Sequence, residues 1–332
     1  MAARQLPKAT EEEVQRRERD YWRQKFHSIL TDWRLYLLLF PLAFFFVVWK
    51  YIPIGTRIRA FKDYKIDSSF GGGAFTSDFI GFYSFQFLFQ QTKFWSAFRN
   101  TFLLSFYGLV FGFPFPIILA LFFSEIRNKA YRSVAQVLCY LPKFISLVVR
   151  TTIISRLLAP SSQVSSAGPI EAIFEHRGVH DLLTNAKAFR SVFTVSGIWQ
   201  EGGYGSIVYF AAILGISPTN YEAARIDGAT KRQQIRYVTI PGRTATLAIM
   251  LILKIGSLLT VGYEKVYLLQ QLGAPFETSE TVSTYVINTF MGNSNANQGM
   301  GAAADRFNSL LSRVLVIGAN KVSKRVSSAS LY

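Results

Sequence analysis

NYEAARIDGATKRQQIRYVTIPGR, residues 220–243, is a polar, basic stretch set between two apolar runs. Ser217 and Pro218, just ahead of it, suit the N-cap and first turn of a helix. Asp227 and Gly228 suit its end, where glycine takes a positive φ without strain. Thr230 and Gln233 have the spacing of a capping box for a second helix, and Pro241 is expected to stop that helix. The reading is helix, sharp glycine turn, helix: a knob carried between two membrane spans and shaped to enter a partner's cleft.

The flanking runs set the class. Half of the 332 residues are hydrophobic and Phe alone contributes 30. Several runs reach the ~20 residues that cross a bilayer. The expectation is an all-α polytopic membrane protein with six transmembrane helices and both termini in the cytoplasm. Its spans are 35–54, 101–123, 133–158, 191–216, 245–268 and 303–320. They leave a cytoplasmic tail 1–34, a transmembrane domain 35–320 holding the knob at 217–243, and a cytoplasmic tail 321–332. Net charge is +16, which in a soluble chain would raise nucleic acid as a partner. Here the loops assigned inside hold roughly twice the Lys and Arg of those assigned outside, so topology accounts for the charge and no nucleic acid is implied. Cys139, the single cysteine, cannot form an intrachain disulfide.

Along the chain, the charged segment EEEVQRRERDYWRQK reads as a tail, either solvated or forming a surface helix near Tyr21, Trp22 and Phe26. It lacks a signal peptide's short polar start and cleavage site. Lys50 and Tyr51 suit the outer end of the first span. A glycine turn at 71–73 and an aromatic run, FYSFQFLFQQTKFWSAF, follow as an outer segment that suits the membrane interface. The second span carries Gly108 and Gly112, a spacing that permits close helix approach, then Pro114 and Pro116, expected to kink it. Pro142 is expected to interrupt the third span. His176 and His180 in HRGVH have the spacing of a zinc pair, but Gly178 lies between them and the motif's glutamate is absent, so no metal is expected. GIWQEGGYGS in the fourth span reads as irregular backbone around Glu201, tolerated at membrane depth only where it faces protein or water.

The knob resembles the EAA loop of permease subunits in bacterial ABC importers. That family's pattern is E-A-A, three residues, G, nine residues, I-x-L-P. Glu222, Ala223, Ala224 and Gly228 match it, and Val238, Ile240 and Pro241 stand at its end. An ordinary basic cytoplasmic loop would explain Arg225, Lys231, Arg232, Arg236 and Arg243, but not the fixed offsets. Phe94, Trp95 and the pair Asn100-Thr101 resemble the stretch before the family's second span. Trp199, Gln200, the neighbouring glycines and GYEKVYLL resemble its carbohydrate subfamily for large oligosaccharides, permeases of the alginate importer above all. The resemblance covers residues 35 to 325. It implies a type I importer permease fold in the bacterial inner membrane. It further implies a second homologous permease, two ATPase subunits and an extracytoplasmic solute-binding protein, with alternating access as the mechanism. Glu222, Ala223, Ala224, Asp227, Gly228 and Pro241 would then dock the ATPases.

The chain itself carries no phosphate loop of the form G-x-x-x-x-G-K-[ST] and no Ser/His/Asp, zinc or dinucleotide set. It reads as a conduit without a cofactor or catalytic site of its own; the resemblance assigns ATP and Mg to the partner ATPases. Two rival classes stand beside it. An ion- or proton-coupled carrier or channel would use Glu201, Glu264 and Asp305, but no inverted repeat is evident. A membrane enzyme would need a cluster of polar catalytic residues at one interface, and none is found.

Candidate pathway residues are aromatics suited to sugar rings, namely Trp199, Tyr263 and Tyr267, and the carboxylates Glu201 and Glu264. The plainer reading makes Tyr263 and Tyr267 interface anchors and pairs Glu264 with Lys265. Cations outnumber acids in the spans: Lys143, Arg150, Lys254, Arg306 and Arg313 read as deep, whereas Arg156 and Lys265 lie near outer ends and can snorkel. Lys143 and Arg150, seven apart, would share a helix face with a rise of about 10 Å. Arg306 and Arg313 repeat that spacing, and Asp305 is not expected to face Arg306. Two cationic stripes suit an acidic oligosaccharide, such as a chain of uronic acids. The alternative is that they meet acids on the partner permease or lipid phosphates.

Overall fold

The computed structural model describes residues 25, 31–51, 56–63, 77–158, 168–175, 182–259, 261–291 and 298–326. Most of the N-terminal tail, the glycine turn at 71–73, His176, His180 and residues 292–297 lie outside the described residues. So do residues 327–332 of the C-terminal tail. Every regular element among the described residues is helical, apart from one antiparallel bridge between Lys62 and Phe79. The chain forms two units, 1–58 and 59–332.

The first unit holds α1, Trp33–Phe46, extended by one π-helical turn at Val47–Tyr51. Its 19 residues are apolar enough to cross a bilayer.

The second unit opens with α2, Tyr83–Gln90, α3, Thr92–Val110, and α4, Pro114–Glu125. Pro114 takes the first turn of α4, where its missing N–H is harmless. Between α3 and α4, Phe111–Phe113 keep helical bonds to the carbonyls of Tyr107, Gly108 and Leu109, so the prolines mark the join without interrupting the ladder before it. Together Thr92–Glu125 is also long and apolar enough to span.

Next come α5, Lys129–Phe144, and α6, Leu147–Leu157, which meet at 101°. Asn128 caps α5 by accepting from Ala130 and Tyr131 N–H, and Ser146 caps α6 by accepting from Val149 N–H. The expected interruption at Pro142 is displaced: the helix runs through it and turns at Ile145–Ser146, where a serine can start the next helix. Because of this bend Lys143 and Arg150 sit on different helices and do not share a face, contrary to the seven-residue reading.

α7, Ala186–Leu214, is the central helix of the unit and packs on α3, α4 and α5. GIWQEGGYGS is regular helix within it, not irregular backbone. Its glycines serve contact instead. A Cβ at Gly203 would collide with the Cys139 carbonyl of α5, and one at Gly202 with the Phe115 ring of α4. Gly108 has open space where a side chain would stand, so the permitted close approach is not made there, and a Cβ at Gly112 would first meet the Gly108 carbonyl of its own segment.

The knob follows: α8, Pro218–Ile226, and α9, Lys231–Gln234, then a π-helical run Ile235–Thr239 and a last turn Ile240–Gly242. Pro241 does not stop the helix; the turn is carried to Arg243, whose φ of −130° ends it. The expected fifth span is likewise broken into α10, Thr244–Gly256, and α11, Tyr263–Gln271, with Gly262 at the start of the second. α10 meets the knob's last helical run at 68°. α12, Val282–Val286, and α13, Gln298–Val326, complete the chain. α7 and α13 are long enough to cross a membrane but too polar to meet the same test of apolarity.

Two apolar clusters hold the unit. One gathers Leu88, Phe94 and Ala97 with Val282, Tyr285, Ala303 and Ala304. Its rings continue through Phe89, Trp95, Phe98 and Phe307 of α13, while Phe82, Tyr83, Phe87, Phe89 and Trp95 of the aromatic run stay exposed. Asn100 and Thr101 tie α3 to the segment before α12. Asn100 Nδ2 donates to the carbonyls of Glu277 and Glu280 at 2.8 and 3.2 Å, and Thr101 Oγ1 accepts from Val282 N–H at 2.9 Å. In the segment before α12 burial pushes the Glu280 carboxyl up from its ordinary range, with Lys93 opposing. The second cluster joins Leu104, Ile154, Leu158, Phe189 and Leu269.

Candidate transport cavity and coupling surface

A cavity of about 510 Å³ is bounded by α3, α6, α7, α10 and α11. That volume is within the range of small-molecule sites. Gly108, Gly112 and Gly197 keep its walls thin, and Arg150, Glu201, Lys254, Glu264 and Lys265 supply its charge. Of the expected pathway residues it therefore gathers Arg150, Glu201, Lys254 and Glu264. Lys143 is outside the lining but reaches it through Glu201: its Nζ donates to both carboxylate oxygens at 2.7 Å. Gln200 Nε2 donates to the same carboxylate at 3.0 Å.

Other candidates stand elsewhere. Trp199 lines a separate, almost wholly apolar groove between α6 and α7, with Ile153, Leu157 and Val195. Residues 199 and 201 are two apart on a helix, so they face different sides. Tyr263 and Tyr267 are exposed and outside the cavity lining. Arg306 and Arg313 lie on α13, also outside it, and Arg306 does meet Asp305, at 3.9 Å, against expectation.

Lys265 was read as a snorkelling residue, yet it lines the cavity. Its Nζ donates to the Phe193 carbonyl at 3.2 Å and sits 4.4 Å over the Phe193 ring. No sequence signal distinguishes this from snorkelling, because the break before α11 is what turns the residue inward. Arg150 is 8% exposed, and its Nε and Nη1 have no hydrogen-bond partner among the described residues.

The knob has the expected geometry. Gly228 has φ +76°. Its N–H donates to the Arg225 carbonyl and that of Ala229 to the Ala224 carbonyl, the paired bonds of a Schellman end. Thr230 and Gln233 form the full capping box. Ser217 stands at the N-cap, but its hydroxyl donates to Thr219 Oγ1 instead of capping the backbone. The knob is braced from within by Tyr221 to Thr239 and from outside by Lys231 Nζ to Glu125 at 2.6 Å. No residue of α8 is buried; Glu222 and Ala223 are exposed, and Ile226 is 87% exposed.

The model of the family described as "Binding-protein-dependent transport system inner membrane component" matches residues 112–291, which hold both the knob and most of the cavity wall. The chain belongs to that family. This permease is a multi-pass inner-membrane protein and the transport component of an ABC importer. Protein LplB of Bacillus subtilis (strain 168) is 32% identical over 306 residues, 92% of this chain and 93% of that protein. The polygalacturonan/rhamnogalacturonan transport system permease protein YteP of the same organism is 32% identical over 298 residues, 90% of each chain. Among solved structures, a chain of a bacterial ABC transporter involved in the import of the acidic polysaccharide alginate aligns with a TM-score of 0.79 and 36% identity. That alignment covers 92% of this permease and 99% of that chain.

Proposed function

We propose that the permease imports an acidic oligo- or polysaccharide, alginate-like or otherwise built of uronic acids, by alternating access. Its likeness to the alginate-importer chain carries this reading. The three cations of the cavity, Arg150, Lys254 and Lys265, against two carboxylates, one already held by Lys143, support it. In this proposal the chain has six spans, α1, α3 with α4, α5 with α6, α7, α10 with α11, and α13, with both termini in the cytoplasm. It works beside a second homologous permease and two ATPase subunits that bind ATP and Mg. A solute-binding protein delivers the sugar, and lipid surrounds the apolar faces. The knob enters the ATPases through Glu222, Ala223, Ala224, Asp227, Gly228 and Pro241, and their closure pulls on it as a rigid body.

The test is substrate-stimulated ATP hydrolysis and uptake by the reconstituted importer, offered matched acidic and neutral oligosaccharides. The acidic series should be preferred. Equal responses to both would leave a carbohydrate permease without selectivity for charge.

A further inference from the structure

We infer that Arg150 forms a carboxylate subsite in the cavity wall, receiving one uronate group of the passing saccharide. This rests on the acidic-substrate reading above and gives it a place. Among the charged side chains of the cavity, Glu201 is engaged by Lys143 and Gln200. Lys265 is turned to the Phe193 carbonyl and ring. Lys254 and Glu264 are exposed, so solvent can satisfy them. Arg150 alone of the five is nearly buried with guanidinium nitrogens unpartnered among the described residues. A buried guanidinium left so is unfavourable until an anion reaches it. Its planar fork matches a carboxylate in two parallel hydrogen bonds; Nε and Nη1 are enclosed here, so the fork is offered to the sugar once the wall around it shifts in the transport cycle. Lys265 lines the same cavity.

The stripe expected from sequence, Lys143 with Arg150, is thereby divided. Lys143 pairs with Glu201 in the lining, and Arg150 is left to the substrate. A neutral sugar would occupy the same space without satisfying the guanidinium, which is how a polar site rejects an isostere lacking its partner group.

The experiment uses the complete importer in liposomes, with its ATPases and binding protein, and a uronate oligosaccharide alongside its methyl ester. The unmodified importer should favour the acid. Arg150→Gln should reduce that preference by about tenfold or more, and Arg150→Lys, which keeps charge without the fork, should restore part of it. An unmodified importer indifferent to esterification overturns the acidic-substrate reading and the subsite with it. A clear acid preference that survives intact in Arg150→Gln overturns the subsite alone. Should Arg150→Gln fail to assemble, a structure of the unmodified importer trapped with the acidic sugar decides. A uronate oxygen within about 3 Å of the guanidinium supports the subsite. A carboxylate of the second permease or a lipid phosphate seated there, with the sugar elsewhere, overturns it.

Discussion

At the scale of single residues, Gly228 is the position where backbone conformation and the proposed coupling meet. Its φ of +76° leaves open space around a would-be Cβ, so a substitution there strains the backbone without a steric clash. Gly228→Val should impose roughly 1–3 kcal/mol of local strain and abolish ATP hydrolysis stimulated by loaded binding protein. The subunit should still insert. Glu222→Lys, on the exposed face of α8, should detach or uncouple the ATPases by reversing one charge. Assembly by co-purification and stimulated hydrolysis check both; wild-type behaviour in the two variants would exclude the docking role. Glycine acts differently at 203, where the barrier is steric and φ is ordinary.

At the scale of elements, that contact joins α5 to α7. Gly203→Val should force the helices apart against the Cys139 carbonyl and lower stability by about 1–3 kcal/mol or more. Gly205→Ala, which meets only the Pro116 ring at 3.4 Å, should be nearly neutral. Thermal unfolding of the purified subunit in detergent separates the two. An equal loss in both would show that the close approach is not maintained. The difference in legibility between elements has a physical source. Caps and turns are local, so Thr230, Gln233 and Gly228 could be read from spacing alone. Helix breaks are decided by competition. Pro142 removes one hydrogen bond but lies in a last turn that tolerates it, whereas Ser146 offers a new cap and takes the bend. The glycines of α7 carry the same composition whether they unwind a helix or let another approach, and only the neighbouring helices determine which occurs. Trp199 suits the pathway by its ring and Glu201 by its charge, but helical geometry puts them on different sides of α7.

At the scale of the whole molecule, the cavity is lined by residues from Leu104 to Lys265 on five helices, a gathering that no single stretch of sequence specifies. Its accessibility is open to test by chemistry. With Cys139→Ser as background, cysteines placed at Lys254 and Glu264 should react with a water-soluble thiol reagent in at least one stage of the transport cycle, and substrate should slow them. A cysteine at Trp199 should react slowly and without protection by substrate, since it faces the apolar groove. Protection at 199 together with silence at 254 and 264 would mean that the sugar passes on the other side of α7. The proposed topology, with the knob and both termini on one side, is tested by tagging 321–332 and the knob for side-specific proteolysis in oriented vesicles.

The internal closure of the knob bears on kinetics. Its Schellman end, capping box and the Tyr221–Thr239 bond are made within the permease itself, so little ordering remains for the proposed docking to accomplish. An ATPase arriving from the cytoplasm would meet a surface already in its bound shape. Association should then fall in the ordinary rigid-body range of about 10⁵–10⁷ M⁻¹ s⁻¹, and substitutions on the exposed face of α8 should shorten the lifetime of the complex far more than they slow its formation.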